Sequence, residues 1–295
     1  MPINSYPSEL YPFKSRRLNI AGNDIHYIDE GKGEVILFCH PPIASSFMYR
    51  NMIRRLSAGF RCVALDFPGF GLSKAAPDYI PSIQSQATVI EEFIKTLGLE
   101  GIYFVMQEIG GHAGISVFMK NPIWLKGIIL TDTIIFPISQ YPKLGRMLKM
   151  VNGSAFRFVN GNFNFLIYML TNSGIKRRKL IGQEKETYRS MFDSKPIRSL
   201  STSMLYQLAK EEQLLSAIQK AFETTFNNIP TLLIYGEKDS LTKLGVPRRI
   251  ARFMENSQSH LIKGEGHFPH EGAPEEMSDL ITGWITNRSK LVRES

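Results

Sequence analysis

The sequence has little of what would tie it to a disulfide scaffold, a metal or a membrane span. Only two cysteines occur in 295 residues. Cys39 ends the apolar run Val35 to Cys39 and Cys62 opens the run Cys62 to Leu65, so buried thiols are expected and a disulfide framework is excluded. The six histidines show no ligand spacing, which leaves no metal and no cofactor to expect. The longest apolar run, Phe163 to Leu170, is interrupted by Asn164 and falls far short of a spanning helix, so no integral membrane segment is expected. Met1 to Pro7 offers no basic head followed by an apolar stretch; no secretory signal is expected, and the location that follows is cytoplasmic. Acidic residues are fewer than basic ones, 27 against 35. The basic residues are nevertheless scattered. Two denser runs, Lys176 to Lys179 and Pro247 to Arg252, read as solvated helix faces, and no nucleic-acid-binding motif accompanies them.

What is present is a core-forming α/β pattern. Hydrophobic residues make up 43% of the chain, enough for a substantial core. Arg17 to Ile20 and Ile25 to Ile28 flank the turn-forming Ala21 to Asp24, which predicts a hairpin. Val35 to Cys39, Arg61 to Leu65, Gly101 to Met106, Gly127 to Leu130 and Pro230 to Tyr235 read as strands buried on both faces. A last strand is expected near His260 to Ile262. Helices are predicted over Phe47 to Leu56, Ile83 to Leu97 with Gly98 as its stop, from the glycines after Glu108 to about Lys120, over Val246 to Met254, and over Pro274 to Asn287. Strands alternating with helices mean a mostly parallel sheet covered on both faces. From Phe136 to Asn228 strand signals vanish, and amphipathic segments such as Tyr188 to Phe192 and Ser203 to Lys220 take over. This predicts a helical cap at 136–228 inserted between core segments 1–135 and 229–295.

One stretch concentrates the chemistry. The strand ending in Val105-Met106 runs directly into Gln107-Glu108-Ile109-Gly110-Gly111, a strand-to-helix hinge that lifts its apex residue toward a pocket on a strained backbone. The apex is Glu108. Gly110 and Gly111 supply the room that the returning helix needs. Functional groups in an open α/β sheet collect at the carboxyl ends of strands. Here such ends bear His40-Pro41-Pro42, Glu108, Asp132, Asp239 and His267.

With Tyr11 to Phe13, Ile25 to Gly31, Asp66-Phe67-Pro68-Gly69-Phe70-Gly71-Leu72-Ser73, the hinge Val105 to Gly111, Gly236-x-x-Asp239 and Gly266-His267 in that order, the chain resembles the α/β-hydrolase superfamily. Within it, the resemblance is to the haloalkane dehalogenase and epoxide hydrolase branch. It implies an eight-stranded, mostly parallel sheet with an inserted helical cap. It further implies that Glu108 attacks carbon in place of the branch's aspartate, that His267 activates water, and that Asp239 orients the imidazole, with Asp132 as the alternative acid. Three positions depart from the branch. Glu108 is one methylene longer than aspartate. Ile109 and Pro42 stand where dehalogenases carry halide donors, and neither side chain donates a hydrogen bond, so dehalogenation is disfavoured. Pro42 also lacks the N–H expected in the oxyanion hole. Ile109 remains as one donor, and a one-residue shift of the His40 loop would bring in Ile43. Epoxide opening would draw O–H donors from the cap, where Tyr141, Tyr168, Tyr188 and Tyr206 are available. Phe156, Phe158, Phe163, Phe165, Leu166 and Met169 make that cap apolar, which suggests a small to medium apolar molecule as ligand. A non-hydrolytic acid/base enzyme (lyase, decarboxylase or cyclase) and a catalytically silent ligand-binding relative are the alternatives.

Overall fold

The computed structural model describes residues 5–252 and 254–294, so Met1 to Asn4 of the segment read for a signal lie outside the described residues. Arg16–Ile20 (β1) pairs antiparallel with Asn23–Glu30 (β2). Ala21 and Gly22 take φ of 48° and 79°, the left-handed pair that a two-residue hairpin turn requires. The remaining strands are Val35–Cys39 (β3), Arg61–Leu65 (β4), Ile102–Met106 (β5), Leu125–Thr131 (β6), Thr231–Gly236 (β7) and Ser257–Ile262 (β8). They form an eight-stranded sheet in the order β1-β2-β4-β3-β5-β6-β7-β8. β2 meets β4 antiparallel, and every later pair is parallel. All residues of β3, β5 and β7 are buried, as the unbroken apolar runs require. Helix Ile83–Leu97 packs on Glu108–Lys120, and Arg50–Leu56 packs on Pro274–Glu294. The first of these opens with a reciprocal Ser82–Ser85 cap and stops at Gly98 with φ of 56°, as its sequence signals require. Cys39 and Cys62 are buried free thiols.

Between β6 and β7 the described chain forms helices only, Pro142–Val151, Ser154–Phe163, Phe165–Met169, Gly182–Met191, Lys195–Gln207 and Glu212–Glu223. Several expected boundaries shift for physical reasons. β8 starts three residues earlier than expected because Ser257 to Ser259 lie on a sheet edge, where no apolar alternation is needed. The segment Ser203 to Lys220 is two helices, broken by a tight turn at Leu208–Lys210. The helix expected to reach Met254 is assigned over Val246–Ala251, and Phe253 lies outside the described residues. The helix expected from Phe47 begins as a tight turn at Ser46–Tyr49 and becomes regular at Arg50.

Arg50 is fully buried, an exceptional place for a guanidinium unless it is paired. It donates to Glu271 and to Glu184. Arg178 bonds both carboxylates, reaching Glu184 Oε2 at 2.9 Å and Glu271 Oε2 at 2.6 Å. The Tyr188 hydroxyl donates to Glu271 Oε1 at 2.6 Å. Lys176 to Lys179 is therefore not a plain solvated face. Arg178 belongs to this network, and Arg177 pairs with Glu276. Likewise Arg249 lies 3.9 Å above the Phe136 ring.

Removing Glu271 leaves the Arg50 charge buried and short of a partner. Glu271→Ala should destabilise the fold by about 3–5 kcal/mol, read as a lower urea midpoint with an unchanged slope.

Candidate active site

Four neighbouring parallel strands, β5, β6, β7 and β8, end on the same side of the sheet, and the residues just beyond them meet. Glu108 follows β5, Asp132 follows β6, Asp239 follows β7 and His267 follows β8. Glu108 holds φ of 44° and Asp132 holds φ of 39°, a left-handed backbone that L-residues adopt at a cost and that clusters at functional sites. A Cβ at Gly110 would stand 2.2 Å from the His40 carbonyl oxygen, and one at Gly111 would stand 2.9 Å from the Met106 backbone. The helix beginning at Glu108 reaches its place behind the sheet only because both side chains are absent.

His267 is bonded through both ring nitrogens. Nε2 lies 2.5 Å from Glu108 Oε1 and Nδ1 lies 3.0 Å from Asp239 Oδ1. Burial alone would lower the His267 pKa, but the charge and hydrogen bonds of Asp239 and Glu108 override it and hold it well above 6.5. Burial would raise the Asp239 carboxyl, and the imidazolium reverses this to keep it below the ordinary carboxylate range. Asp132 differs. Its Oδ1 accepts the Gly236 N–H at 3.0 Å, and complete burial followed by the nearby Asp239 charge pushes its pKa well up. Asp239 Oδ2 is buried without a hydrogen-bond partner, and a carboxylate oxygen of Asp132 lies within 4.8 Å of one of Asp239. Between the two acids considered, Asp239 is the one in contact with the imidazole, and Asp132 stands behind it. Ligand atoms of Asp132, Asp239 and His267 lie within 4.8 Å of one another. A metal there would compete with Asp239 and Glu108 for the nitrogens of His267.

These groups open on a cavity of about 460 Å³. Its wall is mainly apolar, with Leu144, Leu148, Phe156, Phe165, Leu166 and Leu205 contributed by the inserted helices. Glu108 Oε2 is buried without a hydrogen-bond partner, and Glu108 lines this space. Ile109 and Ile43 also line it, whereas Pro42 does not. The His40 loop thus turns Ile43 to the cavity. His40 itself is no ligand contact. It is buried with Nδ1–H donating to Pro41 O at 2.8 Å and Nε2 accepting the Phe67 N–H at 2.9 Å, and it buttresses the loop.

The tyrosine donors expected from the cap are not there. Tyr141 bonds Arg249, Tyr168 stacks on Phe165, Tyr188 bonds Glu271 and Tyr206 lies under Lys210; none of the four lines the cavity. Neither tryptophan does. Among the lining residues that escaped the sequence reading, two carry buried polar atoms without a partner. His112 donates from Nε2 to Ile134 O at 2.6 Å and leaves Nδ1 unpartnered, and the buried Thr133 hydroxyl is also unpartnered. His112 is four residues beyond Glu108 on a helix, a spacing that places both on one face.

The raised His267 pKa carries a sign. Its stabilising contribution is complete below the ordinary value of 6.5 and is lost as pH rises through the folded value. Melting temperature should fall on the alkaline side, and His267→Gln should flatten that limb. A fall of equal size in the variant would contradict the pairing. Asp132→Asn places a donor beside the unpartnered Asp239 Oδ2, whereas Asp132→Leu places none. An NMR titration of the His267 ring should follow wild type in the first variant and shift in the second.

Residues 34–274 match the family model described as alpha/beta hydrolase fold. Haloalkane dehalogenase 2 of Mycobacterium tuberculosis is 31% identical over 284 residues, covering 95% of this chain and 98% of that protein. A cis-3-alkyl-4-alkyloxetan-2-one decarboxylase of Shewanella oneidensis is 26% identical over 295 residues, covering 97% and 92%. Among solved structures, a haloalkane dehalogenase of Agrobacterium tumefaciens superposes with a TM-score of 0.83 at 20% identity, over 95% of this chain and 99% of that one, a likeness of fold. With the sheet order, the hinge at Glu108 and the matched length all in agreement, the chain belongs to the α/β-hydrolase superfamily and, within it, to the haloalkane dehalogenase branch.

Proposed function

We propose that the protein is an enzyme that transforms a small to medium apolar substrate through the Glu108 carboxylate, with His267 and Asp239 as its proton-handling pair and the inserted helices as the cap over the cavity. The supporting observation is the 2.5 Å contact between Glu108 and His267 at the floor of an apolar cavity, with the second Glu108 oxygen unpartnered. That oxygen is the nucleophile toward an electrophilic carbon. His267 is placed to take a proton from water once an ester has formed. Because the ring holds its proton well above pH 6.5, turnover that depends on the neutral imidazole rises on the alkaline side.

Halide release is disfavoured. Ile109 and Pro42 offer no side-chain donor to a departing anion, and no tryptophan lines the cavity. Epoxide opening is disfavoured because none of the tyrosines of the inserted helices lines the cavity. The backbone N–H of Ile109, at the start of a helix and without an intrahelical partner, together with that of Ile43, forms the remaining anion-binding pair.

A second, non-hydrolytic reading is favoured by the relative that acts on an alkyl-substituted oxetan-2-one. Loss of carbon dioxide from a four-membered lactone leaves an alkene and consumes no water. It therefore makes smaller demands on an oxyanion hole, and alkyl arms suit these walls.

The test is His267→Phe incubated with alkyl bromides, epoxides and β-lactones, followed by mass spectrometry. The covalent reading expects an adduct on the peptide containing Glu108, and wild-type turnover without any adduct in the variant supports the water-free reading. Glu108→Asp draws the carboxylate back from His267 and should lower turnover by on the order of a hundredfold. An increase would show a site still shaped for aspartate.

A further inference from the structure

Large apolar side chains stand open to solvent along one part of the inserted helices. Phe163 is 73% exposed and Phe158 67%, with Met147, Met150, Tyr168 and Met169 also exposed. Most other large apolar residues exposed among the described ones stand singly, as at Ile80, Ile123 and Leu261, which needs no explanation. The same part of the chain has a one-sided charge. From Thr133 to Gln183 there is no acidic residue, but there are eight basic ones. Arg177 and Arg178 are taken up by ion pairs. Lys143, Arg146, Lys149 and Arg157 are exposed and have no ion pair among the described residues.

Charge and apolar surface share faces. On helix Pro142–Val151, Lys143, Arg146, Met147 and Met150 recur at three- and four-residue spacing, forming one stripe. On Ser154–Phe163, Phe163 lies on the stripe of Phe156, whose ring meets Phe165 edge-on at 5.7 Å. Phe165 stacks on Tyr168 at 6.3 Å. Met147, Met150 and Met169 are at once solvent-exposed and part of the cavity wall, so these three methionines stand at the rim of the cavity mouth. Glu186 and Asp193 line one surface depression with Phe163 and Tyr168, where Arg189 and Arg198 stand with them.

We propose that this face docks on an anionic membrane surface. Lys143, Arg146, Lys149 and Arg157 meet lipid headgroups, while the exposed phenylalanines and methionines enter the boundary with the acyl chains. A second copy would set the same positive charge against itself. A lipid surface matches both the charge and the apolar rim. The cavity mouth then opens onto the phase in which an apolar substrate dissolves, and this last step rests on the function proposed above. The docking itself does not.

The test is co-sedimentation of the full chain with phosphatidylcholine vesicles and with mixed phosphatidylcholine–phosphatidylglycerol vesicles. Binding to the mixed vesicles alone is expected, weakening as salt is raised from about 0.1 M to about 1 M, where screening shortens from about 10 Å to about 3 Å. Lys143→Gln with Arg146→Gln should weaken binding by at least about tenfold, at roughly fivefold per charge. Phe158→Ser with Phe163→Ser should weaken it by about tenfold or more. None of these four residues lines the cavity, so circular dichroism and turnover of a water-dissolved substrate should stay unchanged. Glu108→Gln should sediment as wild type, which separates docking from chemistry. The proposal is overturned if mixed vesicles pellet no protein, if the variants bind as wild type, or if the phenylalanine variant dissociates a dimer while vesicles bind nothing. Capture of an acidic protein without vesicle binding would overturn it as well.

Discussion

Everything at the site hangs on a carboxylate forced into direct contact with an imidazole by the spacing of parallel strands. β5 and β8 are separated by β6 and β7, yet the residues beyond them touch, because loops of unequal reach bend over the strand ends. Glu108 contributes its extra methylene and a left-handed backbone, while His267 contributes a ring clamped from behind by Asp239. The Glu108 backbone, at φ of 44°, is not relaxed. A hydrogen-bonded sheet with three fully buried strands is what makes the strain tolerable, since moving either partner would disturb a close-packed interior.

Two shells of acid support that contact in different ways. Asp239, ionised, holds the imidazolium. Asp132, whose pKa is pushed well up by burial and by its neighbour's charge, stands behind it and accepts the Gly236 N–H. Two ionised carboxylates this close would repel, and their pKa values are accordingly pushed apart, Asp132 up and Asp239 down. The position that looks in sequence like a competing acid thus stands behind the one that touches the imidazole.

Much of this was legible in the sequence where one physical demand dominated. Unbroken apolar runs gave the central strands, Gly98 gave a helix end, and Gly110 with Gly111 gave the close approach behind Glu108. The residues past each strand end could be named because open sheets gather function there. Legibility failed where tertiary pairing decided the outcome. Arg50 reads as surface until Glu184 and Glu271, both distant in sequence, are seen around it. The cap tyrosines are chemically suited to a pocket, but only packing determines which way a helix turns them. The His40 loop could be read in either register, and two consecutive prolines settle nothing about which carbonyl or amide faces inward. β8, lying on an edge, needs no apolar alternation and shows none.

The buried Arg50 network joins a residue from the first fifth of the chain to one in the middle and one near the end. During synthesis from the amino terminus, the guanidinium waits without its full set of counter-charges until Glu271 leaves the ribosome. The interior around it is therefore completed late, after translation is nearly finished. A version of the chain shortened just before that glutamate leaves Arg50 and Arg178 to share Glu184 alone where its core should close.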